Sequence, residues 1–248
     1  MTLEQFFAEN REVAIAFSGG VDSAYLLYAA TRYAARVKAY YVSTAFQPEF
    51  ELADARRLAA DVGADMQVLH ADVLSNSAVT ANPSDRCYHC KNTLFRQILR
   101  AAENDGFPVL LDGTNASDDA GDRPGMRALR ELSVRSPLRE CGLTKAEIRR
   151  LSREAGLFTW DKPAYACLAT RIRTGEEITL QKLKQTEKAE GFLFGLGFRD
   201  FRVRMVDNTA KLELRETDLP LLLENREKIV TELRKDYDSV LLNLEVRK

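Results

Sequence analysis

The stretch that most constrains the fold lies near the N-terminus, where an apolar run leads into a short polar loop and then a helical segment. The first strand is predicted at residues 12–17, and the helical pattern extends from Ala24 to Ala35. This order is typical of a β-strand, a tight turn and the start of a helix, and it favours a layered α/β fold. After Phe17, the loop consists of Ser18, Gly19, Gly20, Val21, Asp22 and Ser23.

A junction of this kind favours the binding of an anion, because the first N–H groups of a helix lack intrahelical acceptors and lie at the positive end of its dipole. Gly19 and Gly20 allow close approach of the backbone, and Ser18 and Ser23 can add hydroxyl donors. A carboxylate at Asp22 would repel phosphate unless it holds a cation, and Mg²⁺ is usually bound through one or two carboxylates and substrate phosphates. The loop lacks the lysine of a Walker loop.

The first two thirds of the chain alternate between strand and helix patterns. Strands are predicted at residues 37–43, 66–70 and 108–112, and helices at 50–62 and 91–104. Such alternation predicts a doubly wound, mostly parallel sheet with helices on both faces. Ligands of these sheets bind at the carboxyl ends of the strands, where the glycine-rich loop and a second polar loop, Gly113–Asp119, both lie.

The pattern changes in the last third of the chain. Thr144 and Glu147 form a capping box that opens a helix reaching about residue 155. Further on, the sequence predicts a helix at 180–196, strands at 201–206 and 210–215, a helix at 219–236 and a strand at 239–247, with a hairpin turn at Asp207 and Asn208. We therefore predict a first domain over 1–175 and a smaller α+β domain over 176–248, with residues 163–175 at their junction.

Composition bears on the class of partner and on the cellular compartment that we expect for this protein. The chain has 248 residues and a formal net charge of -1, which gives no electrostatic reason to expect nucleic-acid binding. No apolar run approaches the roughly 20 residues of a membrane span, and the N-terminus shows no signal-peptide pattern. We expect a cytoplasmic protein whose four cysteines are reduced, so that they serve as ligands, nucleophiles or core residues.

Cys87 and Cys90 form a C-x₂-C pair, which places two thiolates where one soft metal or cluster can take both. With Cys167 as a third ligand, the pair could hold a [4Fe–4S] cluster with one iron left open. The other interpretations are a redox pair, a zinc site that includes His89, and an unliganded loop. No second C-x₂-C is present to complete a zinc ribbon.

Cys167 lies in a basic stretch with Lys162, Arg171 and Arg173. Nearby cations lower the pKa of a thiol and populate the thiolate, which indicates a functional cysteine rather than a buried inert one. Cys141 has no such neighbours and is predicted to be structural.

Arg202 and Arg204 alternate along one strand, so their side chains share a face that suits a phosphate or a carboxylate. The alternative is a pair of solvated surface charges. His70 and Trp160 are predicted to pack or cap rather than to bind a ligand.

Together these motifs resemble the LarE family of ATP-dependent sulfurtransferases, which belong to the N-type ATP pyrophosphatases. The segment around Cys167 distinguishes this family from the others that share the glycine-rich loop. The resembling segments are Ser18–Ser23, Gly113-Thr114-Asn115 with Asp118 and Asp119, Asp122–Gly125, Ser136–Leu138, Lys162–Arg171 and Arg202–Arg204.

The resemblance implies that ATP adenylates a carboxylate of pyridinium-3,5-biscarboxylate mononucleotide, with Mg²⁺ at Asp22, and that sulfur replaces AMP to give a thiocarboxylate for the nickel-pincer cofactor. Cys167 would either give up its own sulfur or, with Cys87 and Cys90, hold a [4Fe–4S] cluster that receives sulfide from a donor. A homo-oligomer is also implied. The implied ATP site adds Ser43, Gly113, Thr114, Asn115 and Asp118 to the loop residues, and the implied substrate site consists of Arg171, Arg202 and Arg204.

The sequence departs from the family after Arg204, where the family usually continues with His-Gly and then Ala-Arg-Ile-Glu. This chain has Met205–Asn208 and then Ala210-Lys211-Leu212-Glu213, so a lysine replaces a bidentate guanidinium. Three other interpretations stay open: a tRNA-thiolating enzyme with a cluster, an amidating synthetase such as NAD synthetase or GMP synthetase, and a regulator that binds nucleotide without turnover.

Overall fold

The computed structural model describes residues 1–118 and 124–247. Its internal contacts divide the chain into two compact units. The first unit comprises Met1–Val73 and Asp85–Lys162, and the second comprises Leu74–Ser84 and Pro163–Lys248. Each unit therefore draws on two separate stretches of sequence.

The first unit contains a four-stranded parallel sheet in the order β3-β2-β1-β4. The strands are β1 (Glu12–Ala16), β2 (Arg36–Ser43), β3 (Asp65–His70) and β4 (Val109–Leu111). The α-helices are α1 (Leu3–Glu9), α2 (Val21–Tyr33), α3 (Glu49–Asp61), α5 (Arg86–Asn104), α6 (Pro124–Glu131), α7 (Pro137–Glu140) and α8 (Lys145–Glu154). The short helix α4 (Ser77–Thr80) belongs to the second unit.

Successive side chains of β1 enter two different apolar clusters. Val13 and Ile15 pack in a cluster with Leu27 of α2. Ala14 packs in the other cluster with Ile98 of α5. Because strand side chains alternate with a period of two, this division means that helices cover both faces of the sheet. The predicted doubly wound α/β fold is confirmed.

The second unit has a three-stranded mixed sheet in the order β5-β6-β7, which confirms the smaller C-terminal α+β architecture. Strands β5 (Arg202–Val206) and β6 (Thr209–Glu213) form an antiparallel hairpin, and β7 (Ser239–Leu242) pairs parallel to β6. Asp207 and Asn208 have φ values of 45° and 60°, which suits the predicted two-residue turn. The α-helices of this sheet are α9 (Leu180–Gly195), α10 (Leu219–Glu224) and α11 (Arg226–Leu233).

Several element bounds differ from the sequence prediction. The helix predicted at 91–104 begins five residues earlier, at Arg86, so both cysteines of the C-x₂-C pair lie within this helix, near its N-terminus. The single helix predicted at 219–236 is two helices that meet at Asn225, whose side chain donates to the carbonyl of Leu221. Asparagine side chains compete for backbone groups and so favour helix ends. Strand β7 ends at Leu242 instead of extending to residue 247.

Residues 163–175 pack with the second unit. The N–H of Gly175 donates to the carbonyl of Asn82 at 2.8 Å, and Ile172 forms a parallel bridge with Met205. The compact units therefore divide after Lys162, whereas the sequence placed a boundary after Gly175. The predicted domain limits stay a prediction. Within the described residues, none of the helices has the length and apolar character needed to cross a bilayer.

Candidate active site

The glycine-rich loop links β1 to α2 in the first unit, as predicted. Gly19 has a φ of +72°, and a Cβ at this position would lie 3.1 Å from the Cβ of Ala55 on α3. Both the backbone conformation and the close helix therefore require glycine. The hydroxyls of Ser18 and Ser23 lie 3.0 Å apart, and that of Ser23 also donates to the carbonyl of Gly20.

The first turn of α2 is open to an anion. Gly20 is the N-cap residue, and no side chain among the described residues caps this helix end. The N–H groups of the first turn thus keep their donor capacity at the positive end of the helix dipole. Phe17 and Val21 flank the loop but are buried in the core of the unit, so only their backbone could meet a ligand.

Asp22 forms an ion pair that the sequence analysis did not find. Its Oδ2 lies 2.6 Å from the Nζ of Lys145, the first residue of α8. Its Oδ1 is buried, and no hydrogen-bond partner for it lies within residues 1–118 and 124–247. A buried carboxylate oxygen without a partner is costly, and a bound metal ion would satisfy it. The capping box located the start of α8, but nothing in the sequence linked Lys145 to a residue 123 positions away.

The second polar loop lies directly against the first. A Cβ on Gly113 would come within 2.9 Å of the backbone nitrogen of Ser23, so glycine is needed for this approach. Thr114 and Asn115 are buried. The backbone N–H of Asn115 donates to Asp118 at 2.8 Å, which fixes the turn. The structure therefore brings together both loops that the sequence assigned to the nucleotide site.

The remaining predicted nucleotide residues lie at the same edge or outside the described chain. Ser43 is the last residue of β2, and its carbonyl accepts from the N–H of Ala71 at 3.0 Å. Asp119, Asp122 and Arg123, which contributed to the resemblance, lie outside the described residues.

Cys87 and Cys90 lie three positions apart near the N-terminus of α5, so they face the same side of this helix. Cys87 is exposed and Cys90 half-buried. An Nη of Arg86, a buried arginine, lies 3.9 Å from the Sγ of Cys87. His89 lies 3.4 Å from the carboxylate of Asp85 in an i,i+4 pair. The side chains of Cys87 and Arg86 thus lie together at the N-terminal end of this helix.

The described residues contain no group of three or more His, Cys, Asp or Glu side chains that could hold a metal ion. None of the four cysteines forms a disulfide within the part of the chain that the structure describes. The donor types nevertheless suit an iron–sulfur cluster, because thiolates are its usual ligands and the C-x₂-C pair shares one helix face.

Cys167 belongs to the second unit, where its backbone is held firmly. It precedes a 3₁₀ turn, Leu168–Arg171, and its carbonyl accepts from both the N–H and the hydroxyl of Thr170 at 2.9 Å. The preceding carbonyl, of Ala166, accepts from an Nη of Arg171 at 2.8 Å. The peptide groups on both sides of the thiol are thus fixed, while the side chain is half-buried.

Arg171 forms an ion pair within the second unit, whereas the sequence analysis predicted that it binds the substrate. It is 1% exposed and forms a bidentate ion pair with the equally buried Glu190, at 2.8 and 2.9 Å. The hydroxyl of Tyr165 and the N–H of Val203 also donate to Glu190, at 2.5 and 3.0 Å. Burial alone would lower the pKa of Arg171, but its bonds to Glu190 raise it. The pair therefore ties the Cys167 segment to α9 and β5.

Arg202 and Arg204 share one face of β5, as predicted, but their surroundings differ. Arg204 bonds to Glu213 at 2.7 Å and to the carbonyl of Thr170 at 2.6 Å. Arg202 is half-buried, and within the described chain no carboxylate forms an ion pair with it. Burial and the charges of neighbouring arginines hold the pKa of Arg202 below its ordinary value. These arginines are Arg171, Arg247 and Arg204.

Cys141, His70 and Trp160, which the sequence analysis predicted to be structural or to pack or cap, contact other parts of the protein. Burial raises the pKa of the Cys141 thiol. The carbonyl of His70 accepts from Gln97, and the guanidinium of Arg153 lies over the ring of Trp160. Lys162, expected beside Cys167, instead pairs with Asp54 at 2.6 Å.

One relative is decisive for the family. The chain is 33% identical over 217 residues to the pyridinium-3,5-bisthiocarboxylic acid mononucleotide synthase of Lactiplantibacillus plantarum. The matched residues make up 87% of this chain and 79% of that relative. The chain belongs to the LarE family. It is an ATP-dependent sulfurtransferase with a pyrophosphate loop, as the sequence predicted.

Other comparisons agree with this membership. The family model for asparagine synthase matches residues 4–120, which include both loops that the sequence analysis assigned to a nucleotide. An uncharacterised protein of Synechocystis sp. is 40% identical over 215 residues, or 86% of this chain and 80% of its own. The tRNA-specific 2-thiouridylase of Thermotoga petrophila is 25% identical over 191 residues, or 59% of this chain and 52% of its own. Its likeness to this LarE-family chain is therefore more distant and partial.

Proposed function

We propose that this enzyme uses ATP to adenylate a carboxylate of pyridinium-3,5-biscarboxylate mononucleotide and then replaces AMP by sulfur. The observation that carries the adenylation step is the buried Oδ1 of Asp22, which has no hydrogen-bond partner among the described residues and lies beside the N-terminus of α2, which no described side chain caps. Asp22 would hold a Mg²⁺ ion through that oxygen, and the ion would supply positive charge that offsets the charge of the phosphates, while Lys145 holds the other oxygen. The substrate is proposed from the printed name of the L. plantarum relative.

In the first step, an oxygen of the substrate carboxylate attacks the α-phosphorus, and the bond to the bridging oxygen breaks to release pyrophosphate. The N–H groups of α2, with Ser18, Ser23 and the Gly113–Asn115 turn, bind the nucleotide. Asp118 fixes this turn, and Ser43 lies at the same strand edge. These donors stabilise charge that develops on the phosphates because they are already oriented before the reaction.

In the second step, a sulfur nucleophile attacks the acyl carbon, AMP leaves, and a thiocarboxylate remains for nickel-pincer cofactor synthesis. We propose that Arg202 and Arg204 bind the substrate phosphate. Arg202 is a half-buried guanidinium without an ion pair in the described chain, and Lys211 lies opposite Arg204 in the hairpin. Guanidinium groups suit phosphate because they donate two parallel hydrogen bonds.

We propose Cys87, Cys90 and Cys167 as the ligands of a [4Fe–4S] cluster. Once bound, such a cluster supplies an iron with an open coordination position for a sulfide ligand. The alternative is that Cys167 gives up its own sulfur. The geometry around Cys167 serves either role, because its flanking peptides are fixed by Thr170 and Arg171.

An anaerobic preparation decides between these sulfur sources. We expect a brown protein with iron and labile sulfide near four per chain, and each of Cys87→Ala, Cys90→Ala and Cys167→Ala should lose both. Cys141→Ala is the matched control and should keep them. Full cluster content in Cys87→Ala would contradict the three-ligand site. Conversion of Cys167 to dehydroalanine, seen by mass spectrometry as a single loss of about 34 Da per chain after reaction, would instead support a sacrificial cysteine.

We also propose that the enzyme acts in the cytoplasm as a homo-oligomer that takes sulfide from a separate donor. The resemblance to the family supports the oligomer, and cysteines without disulfides in the described residues suit a reducing compartment. Light scattering during gel filtration measures the assembly, and a monomer at micromolar concentration would contradict it.

A further inference from the structure

Asp112 is a buried carboxylate that the reaction above does not use. It follows the last residue of β4 and is 6% exposed. Its Oδ1 accepts from the hydroxyl of Ser136 at 2.6 Å, and its Oδ2 accepts from the hydroxyl of Thr114 at 2.5 Å. Within residues 1–118 and 124–247, both of its side-chain partners are neutral hydroxyls.

Burial of a carboxylate with only two hydroxyl partners in the described chain lowers the stability of the fold, so a contribution to stability does not explain why this residue is an aspartate. An ionised carboxyl offers about four acceptor positions, and two hydroxyls satisfy only half of them. Burial of a charge without a cation costs free energy, so a neutral side chain could join the same hydroxyls at lower cost. A role for the carboxylate beyond stability is therefore worth testing.

The residues around Asp112 show what it organises. The next residue, Gly113, lies so close to α2 that a Cβ would come within 2.9 Å of the Ser23 nitrogen. The positive end of the α2 dipole can help to accommodate the negative charge. Thr114, which follows, belongs to the turn assigned to the nucleotide. Asp112 thus stands at the base of that turn.

The second partner, Ser136, connects the turn to a separate segment. Ser136 is the N-cap residue of α7, yet its hydroxyl does not cap this helix and donates to Asp112 instead. The N–H of Asp112 donates to the carbonyl of Arg135 at 2.9 Å. Side chain and backbone therefore link the same two segments.

We propose that Asp112 is a positioning residue of the nucleotide site, which holds the Gly113–Thr114 turn against the first amides of α2 and anchors it to Ser136. The proposal rests on the proposed function in one respect, namely that ATP binds at this turn. It assigns Asp112 no contact with the reacting atoms.

The test uses Asp112→Asn, which keeps the shape but replaces one acceptor by a donor. We expect binding of the magnesium complex of α,β-methylene-ATP, measured by calorimetry, to weaken about tenfold, the effect of one charge-assisted hydrogen bond. The KM for ATP in pyrophosphate release should rise by a similar factor while kcat stays within about twofold. Thr114→Val should have a similar effect and should not add to Asp112→Asn, because the two residues act through one bond.

Asp105→Asn is the matched control. Asp105 also accepts two short bonds, from Lys38 and the hydroxyl of Tyr40 at 2.6 Å, but near the amino end of β2. The Asp105→Asn variant should have a lower melting temperature and an unchanged affinity for the analogue. Equal weakening by both variants would overturn the proposal. So would wild-type affinity in Asp112→Asn.

Two further outcomes are informative. If Asp112→Asn does not fold, Thr114→Val and Ser136→Ala test the two bonds separately, and wild-type affinity in both would overturn the proposal. If the wild-type protein itself does not bind the analogue, the adenylation proposal fails together with this one. A wild-type protein that binds, with an Asp112→Asn variant that binds equally well, overturns the positioning role alone.

Discussion

The two units of this chain each present a surface suited to negative charge, and they use different chemistry to do so. In the first unit, the donors are backbone amides of α2 and hydroxyls of Ser18 and Ser23, placed by glycines at 19 and 113. In the second unit, they are guanidinium groups on β5. Backbone donors require the chain to come close to its ligand, whereas long side chains reach out to it.

The difference also appears in how charge is compensated. Asp22 keeps one buried oxygen without a partner in the described chain, and Arg202 is half-buried without an ion pair there. Arg171, in contrast, is fully paired with Glu190. Groups left with unused capacity are the ones expected to meet ligands, and fully paired groups are expected to hold structure.

The largest expected effect is at Asp22. Asp22→Asn should reduce ATP–pyrophosphate exchange by roughly 1,000-fold or more, because a metal ligand contributes several kcal/mol to charge stabilisation. Iron content should be unchanged. Asp61→Asn is a control on the exposed end of α3 and should keep wild-type exchange. Substantial exchange in Asp22→Asn would remove the metal role.

Variants of Arg171 and Arg202 compare a residue expected to stabilise the second unit with one expected to bind the substrate. Arg171→Ala should lower the free energy of unfolding by about 3–5 kcal/mol, because it leaves Glu190 buried without its cation. Arg202→Ala should change stability little but raise the KM for the substrate by about tenfold. Denaturant unfolding and pyrophosphate-release kinetics measure the two quantities. A stable Arg171→Ala with a raised substrate KM would restore its predicted binding role.

Two glycines test the close approach of the loops. Gly113→Ala should weaken ATP binding about tenfold, because its Cβ would lie 2.9 Å from the Ser23 nitrogen and the turn must shift. Gly191→Ala on α9 has open space around the new Cβ and should stabilise the protein by roughly 0.5–1 kcal/mol. If both variants bind ATP as wild type does, the loops do not depend on this contact.

The smallest expected effect concerns thiol reactivity. Burial raises the pKa of Cys141, whereas Cys87 is exposed at a helix N-terminus. At pH 7.5, iodoacetamide should therefore modify Cys87 in cluster-free protein several-fold faster than Cys141. The rate for Cys141 should rise as the pH approaches its raised pKa. Peptide mass spectrometry measures both rates, and faster labelling of Cys141 would contradict the assignment.

Local patterns in the sequence predicted most of the fold. Short apolar runs located each strand of the parallel sheet, because both faces of that sheet are covered by helices. The loop at Ser18–Ser23 was recognised because its chemistry is contiguous. The start of α5 was placed too late because Asp85–Cys90 is polar and carries no strong apolar period.

Contacts between distant residues could not be predicted in the same way. Lys145 meets Asp22 across 123 positions, and Glu190 meets Arg171 across 19. A single sequence gives only the residue type at each end of such a pair. Arg171 was therefore assigned to a ligand. The sequence around an arginine near a cysteine is the same whether the arginine binds a substrate or pairs with a buried glutamate.

The segment Leu74–Ser84 has a consequence for engineering and evolution. It packs with the C-terminal unit although it lies in the first half of the chain, and Asn82 donates to the carbonyls of Ile172 and Arg173. A gene fragment that starts at residue 163 would lack this piece. The C-terminal unit therefore cannot be exchanged between relatives as a single cassette, and recombination that preserves it must carry both stretches of coding sequence together.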